Sequence, residues 1–285
     1  MAKADDGSRV VGDGRPVMIN VTGVDAYAPA EIAQRVGSAG QVKAALPLDK
    51  LATLAVLAGV FIGLGAALYT VVMTGSALGF GPARLIGGLA FSLGLVLVVV
   101  AGAELFTGNA LIVMAWADRK VPTLALARNW AVSLAGNAVG AVVLALAVYH
   151  SGVLDAGGTR QTAIAIAETK AALSAKEAFV RGILCNVLVC LAVWLSFACH
   201  SVTDKILSVM LPIAAFVALG FEHSIANFYL IPVGMLAGAD VSMAQLIANL
   251  VPVTLGNLVG GAGGVAGVYW LVYLRRPGSQ ADRQS

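Results

Sequence analysis

The chain has 285 residues, 59% hydrophobic and 12% charged, with a net charge of +3 and a mean hydropathy of +0.88. A soluble domain carries about 25% charged residues, so this composition describes an integral membrane protein. The charge is too small and too confined to loops to suit nucleic acid. Several apolar stretches exceed the roughly 20 residues a crossing helix needs, and no alternating pattern suggests a transmembrane barrel.

Residues 1–27 are polar and Gly-rich at their start, without the apolar core of a signal peptide, and are expected to form a disordered cytoplasmic N-terminus. Residues 28–46 read as an amphipathic helix on the membrane surface, with Ile32, Val36, Val42 and Leu46 apolar and Glu31, Arg35, Gln41 and Lys43 polar. Gly37 and Gly40 leave a loose linker as the alternative. Residues 47–274 carry six spans, and 275–285 a polar cytoplasmic tail. The first span covers residues 48–74. The second begins near Arg84, meets Glu104 and resumes at Ala110, which is the pattern of a broken helix. The third covers 122–149. A long connection from 150 to 176 includes a helix-like stretch over 162–173 with Lys170 near its end. The fourth span covers 178–199. The fifth, 205–238, is broken at 222–227, and the sixth covers 242–274.

The two breaks share a frame. Gly102-Ala103-Glu104-Leu105-Phe106-Thr107-Gly108-Asn109 matches Gly220-Phe221-Glu222-His223-Ser224-Ile225-Ala226-Asn227 at Gly, Glu and Asn. Gly136-Asn137-Ala138-Val139-Gly140 then matches Gly256-Asn257-Leu258-Val259-Gly260 in the following span. Three spans per half is an odd number, so the halves must face opposite ways. The expected fold is an all-α membrane protein of two inverted three-helix repeats, the second helix of each broken, with its site where the breaks meet. Lys43, Lys50, Arg119, Lys120, Arg128, Lys205, Arg275 and Arg276 fall on one side; Arg84, Arg160, Lys170, Lys176 and Arg181 fall on the other. That bias places both termini in the cytoplasm.

Non-helical backbone at membrane depth requires protein or a water-filled cavity around it. Half-helix N-termini at the breaks would suit an anion. His223 is the histidine inside a break, able to donate a hydrogen bond or a proton; the plainer reading is a neutral ring bonded to a carbonyl. Glu104 and Glu222 are read as structural, accepting the backbone N–H groups that follow them, with Asn109 and Asn227 completing each break. Thr107 either bonds a ligand or caps the next half-helix, with Asn109 as rival cap. Asn186, in the fourth span, is either interhelical glue or a cavity-lining amide. Phe91, Leu95, Phe106 and Phe216 are bulky enough to form a dewetted constriction or to be core. Lys170 would concentrate anions at a vestibule mouth if it is not simply solvated. Cys185, Cys190 and Cys199 share one predicted helix, cannot pair there, and read as packing residues. No Cys/His cluster has metal-ligand spacing, and no cofactor is expected.

At these residues the chain resembles the formate/nitrite transporter family. The motif at 102–108, the stretch Gly182-Ile183-Leu184-Cys185-Asn186-Val187-Leu188-Val189-Cys190-Leu191-Ala192 and the motif at 221–227 carry the resemblance, which covers residues 28–274. It implies a homopentamer of aquaporin-like protomers in a prokaryotic inner membrane, each with its own pore for small monovalent anions. It implies that Thr107 and His223 meet in the pore with Asn186 beside them and Lys170 in the vestibule. It also implies a cytoplasmic-side constriction of Phe91, Leu95 and Phe216, and a periplasmic one near Leu105, Phe106 and Val189. The expected mechanism draws the anion in by Lys170, protonates it near His223, and passes it as a neutral acid through the apolar rings. Formate is the expected substrate, since residues 104–109 with 112–117 look most like members associated with formate dehydrogenases; nitrite or hydrosulfide is the alternative. An enzyme is not expected. A neutral-solute channel would want paired Asn-Pro-Ala breaks or two pore histidines, and a redox anchor would want axial histidine pairs; the chain has neither.

Overall fold

A computed structural model describes residues 26–275. The disorder expected for the first residues and the polar tail beyond 275 lie outside the described residues. Those described are helical, with no strand among them. We number the helices α1 (Pro29–Ala44), α2 (Leu48–Met73), α3 (Phe80–Gly102), α4 (Gly108–Ala117), α5 (Thr123–His150), α6 (Thr159–Ala171), α7 (Ala175–Ala198), α8 (Val202–Ala218), α9 (Ser224–Ala237) and α10 (Met243–Leu274). Local chemistry sets many of their ends. Pro29 opens α1. Ser174 with Glu177, Ser201 with Asp204 and Ser242 with Gln245 form reciprocal caps on α7, α8 and α10.

Five helices, α2, α3, α5, α7 and α10, are long and apolar enough to cross a membrane. The sixth crossing is shared by α8 and α9, which the break separates. The chain is therefore a multi-pass membrane protein, and the two expected breaks fall where the sequence places them. Gly102 (φ +90°) and Gly220 (φ +73°) end the first half-helix of each broken span in the left-handed region, where a Cβ is disfavoured.

Two cavities lie on opposite sides of the breaks. Along α2, Leu54 borders one and Met73 the other; along α7 the order is reversed, with Arg181 at the second and Ser196 at the first. The equivalent helices of the two halves thus run in opposite senses, which is the inverted repeat. Close backbone contact holds each half. A Cβ on Gly140 would stand 2.0 Å from the Val56 carbonyl oxygen, and one on Gly260 would stand 2.2 Å from that of Ile183. The largest apolar cluster surrounds the breaks and includes Leu95, Leu105, Phe106, Val189, Phe216 and Ile225.

The apolar face of α1 is covered by the protein over its first half, while Val42 stays exposed. Ile32, Ala33 and Val36 are buried against Ala110, Met114, Trp194 and Val265 of the protein itself. An amphipathic stripe reports that a face is buried, not against what. The docked helix has a counterpart in the second half, α6, and each carries a lysine in its last turn, Lys43 and Lys170.

Candidate functional site

Each broken span is held by the same set of side chains. In the first half, Glu104 Oε1 accepts from Lys43 Nζ at 2.7 Å and Oε2 from Asn109 Nδ2 at 2.8 Å. Asn109 also reaches Asn129 Oδ1 at 2.9 Å, and Asn129 donates back to the Lys43 carbonyl at 3.1 Å. In the second half, Glu222 Oε1 accepts from Lys170 at 2.9 Å and Oε2 from Asn227 at 2.6 Å. Asn227 reaches Asn249 at 2.8 Å, and Asn249 returns to the Lys170 carbonyl at 2.9 Å. A fifth pair completes the match. Asn137 accepts from the Phe106 N–H and donates to the Glu104 carbonyl, while Asn257 accepts from the Ser224 N–H and donates to the Glu222 carbonyl, all four at 2.9 Å.

The carboxylates take lysine ammoniums and asparagine amides rather than the backbone N–H groups expected. Both are buried, and an ion pair at such a place persists only where the remaining lone pairs are satisfied. Lys170 differs likewise from a free vestibule cation, since it is 16% exposed and its charge is matched by Glu222. The break N–H groups expected to face an anion are also partly used, Phe106 and Ser224 by the two asparagines and Ala226 by His223. Lys43, Asn129 and Asn249 were missed as site-holding residues. Their signal was available: a lysine 61 residues before Glu104 and another 52 before Glu222, and asparagines 20 and 22 residues after the break asparagines.

Inside this symmetric frame the filling is asymmetric. The position that holds Leu105 in the first break holds His223 in the second. His223 precedes α9 and its Nδ1 accepts the Ala226 N–H at 3.1 Å, capping the half-helix. With Nδ1 an acceptor, the neutral ring carries its proton on Nε2, which lies 3.0 Å from Thr107 Oγ1. Thr107 therefore accepts from the ring, and its own hydroxyl proton is free to be donated elsewhere. Its side chain does not cap α4. Asn186 donates to the Thr107 carbonyl at 3.2 Å and to the Asn257 carbonyl at 2.6 Å, tying the first break to α10. It borders neither cavity, and its Oδ1 is buried without a partner among the described residues.

The larger apolar residues sort differently from the expectation. Phe91 and Phe216 border the cavity of about 470 Å³ that also holds Lys170 and His223. Their rings meet edge to face with centroids 5.5 Å apart, and Phe216 stacks on His223 at 5.9 Å. Leu95 and Leu105 instead border the cavity of about 540 Å³ that holds Lys43 and Glu104. The expected grouping is divided: Phe91 and Phe216 share the Lys170 cavity, while Leu95 and Leu105 border the other. Phe106 and Val189 border neither cavity and are buried in the core. Among the described residues no group of three or more His, Cys, Asp or Glu could hold a metal.

Residues 30–271 match the family model described as Formate/nitrite transporter. The chain is 42% identical over 267 residues to a probable formate transporter of Methanothermobacter thermautotrophicus, covering 87% of this chain and 97% of that one. It is 40% identical over 273 residues to formate channel FocA of Escherichia coli strain K12, covering 88% and 96%. Among solved structures, a pentameric formate channel with formate bound shares 39% identity with a TM-score of 0.71, over 80% of this chain and 98% of that one. An FNT family ion channel shares 29% identity with a TM-score of 0.73, over 86% and 98%.

Proposed function

The chain belongs to the formate/nitrite transporter family, and on that premise we propose that it is a channel for small monovalent anions, formate first among them. We place it as a homopentamer in the inner membrane of a prokaryote, with both termini cytoplasmic. The relatives named as formate transporter and formate channel support the substrate, and the pentameric formate channel with formate bound supports the assembly. The observation that carries the reading is the 3.0 Å contact of Thr107 with His223, where the two broken helices meet between two cavities.

The proposed passage follows from those groups. An anion entering from the Lys170 side meets Phe91 and Phe216, and a bare charge is costly among apolar side chains. The Thr107 hydroxyl, whose oxygen accepts from Nε2–H of His223, is the donor that can hold it there. Because Nδ1 is occupied by the Ala226 N–H, the ring takes a second proton at Nδ1 only by releasing its helix cap. His223 thus works as a fixed donor, and the proton that neutralises the anion is drawn from the bulk solvent on the entry side and returned to solvent when the acid ionises on the other. The neutral acid then passes Leu95 and Leu105 and ionises beyond them.

The test is uptake of formate by liposomes carrying wild type or His223→Asn, across pH 5 to 8 with and without a gradient. Asn retains an acceptor for the Ala226 N–H but not the ring. We expect uptake by the variant to fall across the whole pH range while its pH response persists, because the donor is lost and the solvent proton is not; uptake equal to wild type at every pH would overturn the role of His223. Parallel uptake of nitrite and hydrosulfide separates formate from the alternatives.

A further inference from the structure

The two lysines of the repeat are not the cations available to an incoming anion. Lys170 is matched by Glu222 at 2.9 Å, and Lys43 by Glu104 at 2.7 Å. In the Lys170 cavity the other charged residues are Arg84 and Arg181, so three cations face one carboxylate and two positive charges remain. In the Lys43 cavity the other charged residue is Lys205, so two cations face one carboxylate and one positive charge remains. Among the described residues, Arg84, Arg181 and Lys205 form no ion pair. Glu177, one helical turn before Arg181, gives Oε2 to the backbone N–H and hydroxyl of Ser174 and offsets only part of the Arg181 charge.

Arg84 is held in place for such a task. Its Nε donates to the Ala218 carbonyl at 3.0 Å, at the C-terminal end of α8, and its guanidinium lies over the Phe80 ring at 5.2 Å. A Cβ on Gly220 would stand 2.6 Å from its Nη2, so the glycine that ends α8 also keeps space for the guanidinium. Its Nη groups donate to no side chain or backbone acceptor among the described residues, and Arg84 lines the cavity that Phe91 and Phe216 also border.

We propose that Arg84 and Arg181 on one side, and Lys205 on the other, are the residues that gather the anion at the two mouths. The unequal charge makes the Lys170 cavity the stronger collector. The proposal rests on the anion-channel reading above. A low-dielectric cleft lined by one sign of charge raises the local concentration of the opposite ion by about tenfold or more, and added salt removes the effect as the screening length falls to about 3 Å at 1 M.

The experiment is formate flux against formate concentration for the full chain in liposomes at low ionic strength. Arg84→Gln/Arg181→Gln should raise the half-saturating concentration by about tenfold, and Lys205→Gln by less. Arg84→Lys/Arg181→Lys should stay within about twofold of wild type, because it keeps the charge while losing the planar fork. In 1 M potassium gluconate, wild type and Arg84→Gln/Arg181→Gln should converge. An unchanged half-saturation in the Gln pair overturns the inference, as does a Lys pair that is as impaired as the Gln pair, which would mark Arg84 as a brace for α8. Either result leaves wild-type formate flux intact and so spares the channel reading. A wild type that passes no small anion overturns both.

Discussion

Glu222→Gln is the smallest change that tests the frame around the breaks. Oε1 of Glu222 accepts from the Lys170 ammonium and Oε2 from the Asn227 amide. A Gln must place its NH2 against one of these donors, whichever way it turns, so one hydrogen bond is replaced by a donor–donor contact. Lys170 is then left with its charge unmatched at 16% exposure. Breaking a buried ion pair by removing one partner costs about 3–5 kcal/mol. At about 2–4 °C per kcal/mol for a domain of this size, the melting temperature of the detergent-solubilised protein should fall by about 10 °C. Glu104→Gln makes the same exchange, but Lys43 is 33% exposed and water can reach it, so its loss should be about half as large. Lys170→Met/Glu222→Gln removes both charges and should recover part of the loss, because no unpaired ammonium remains. Differential scanning fluorimetry on the three variants reads this order. A Glu222→Gln shift under about 2 °C, or a double variant no better than the single, would refute the account of the pair as a mutually dependent unit.

Thr107→Val removes the hydroxyl and leaves Nε2–H of His223 without its acceptor; an unsatisfied buried donor costs about 1–3 kcal/mol, so formate flux should fall about tenfold or more, while Thr107→Ser should retain most of it. Equal flux in the Val and Ser variants would remove the hydroxyl from the pore. Gly140→Ala puts a methyl 2.0 Å from the Val56 carbonyl oxygen, and size-exclusion chromatography should find little or no monodisperse protein. Gly102→Ala meets nothing within 4 Å and suffers only its φ of +90°, about 1–2 kcal/mol, so it should assemble and melt a few degrees lower. Asn257→Ala strips the Ser224 N–H of its acceptor and the Glu222 and Gly182 carbonyls of their donor. It should destabilise more than Thr107→Val, a ranking that the same melting experiment checks.

Much of the fold is legible in the residue pattern because a bilayer leaves few options. Apolar runs of the right length must be helices, and polar or Gly-rich interruptions inside them must be enclosed by protein. The Gly-x-Glu frames at 102–104 and 220–222 and the Gly-Asn frames at 136–137 and 256–257 mark the repeat before any coordinates. The site is less legible where long-range partners decide it. Nothing near Glu104 in the chain indicates Lys43, because the lysine lies on a separate docked helix. Asn129 and Asn249 look like ordinary polar residues near the starts of α5 and α10 until the matching loops close. The parting of Phe91 from Leu95 was not legible because neighbouring residues of one helix can face different cavities. Phe91 and Leu95, one turn apart, border opposite ones.

Residue order alone marks an all-helical membrane protein of two inverted halves, with a broken span in each. Hydrophobic length and repeated Gly, Glu and Asn positions are local quantities, and they survive without coordinates. Packing brings Glu104 and Glu222 onto the repeat lysines, carries His223 to Thr107, and leaves Arg84, Arg181 and Lys205 facing the cavities. Those facts depend on which side chains come within hydrogen-bond distance across separate helices. Charge balance in a cavity is a sum over such contacts, and one chain position cannot carry it.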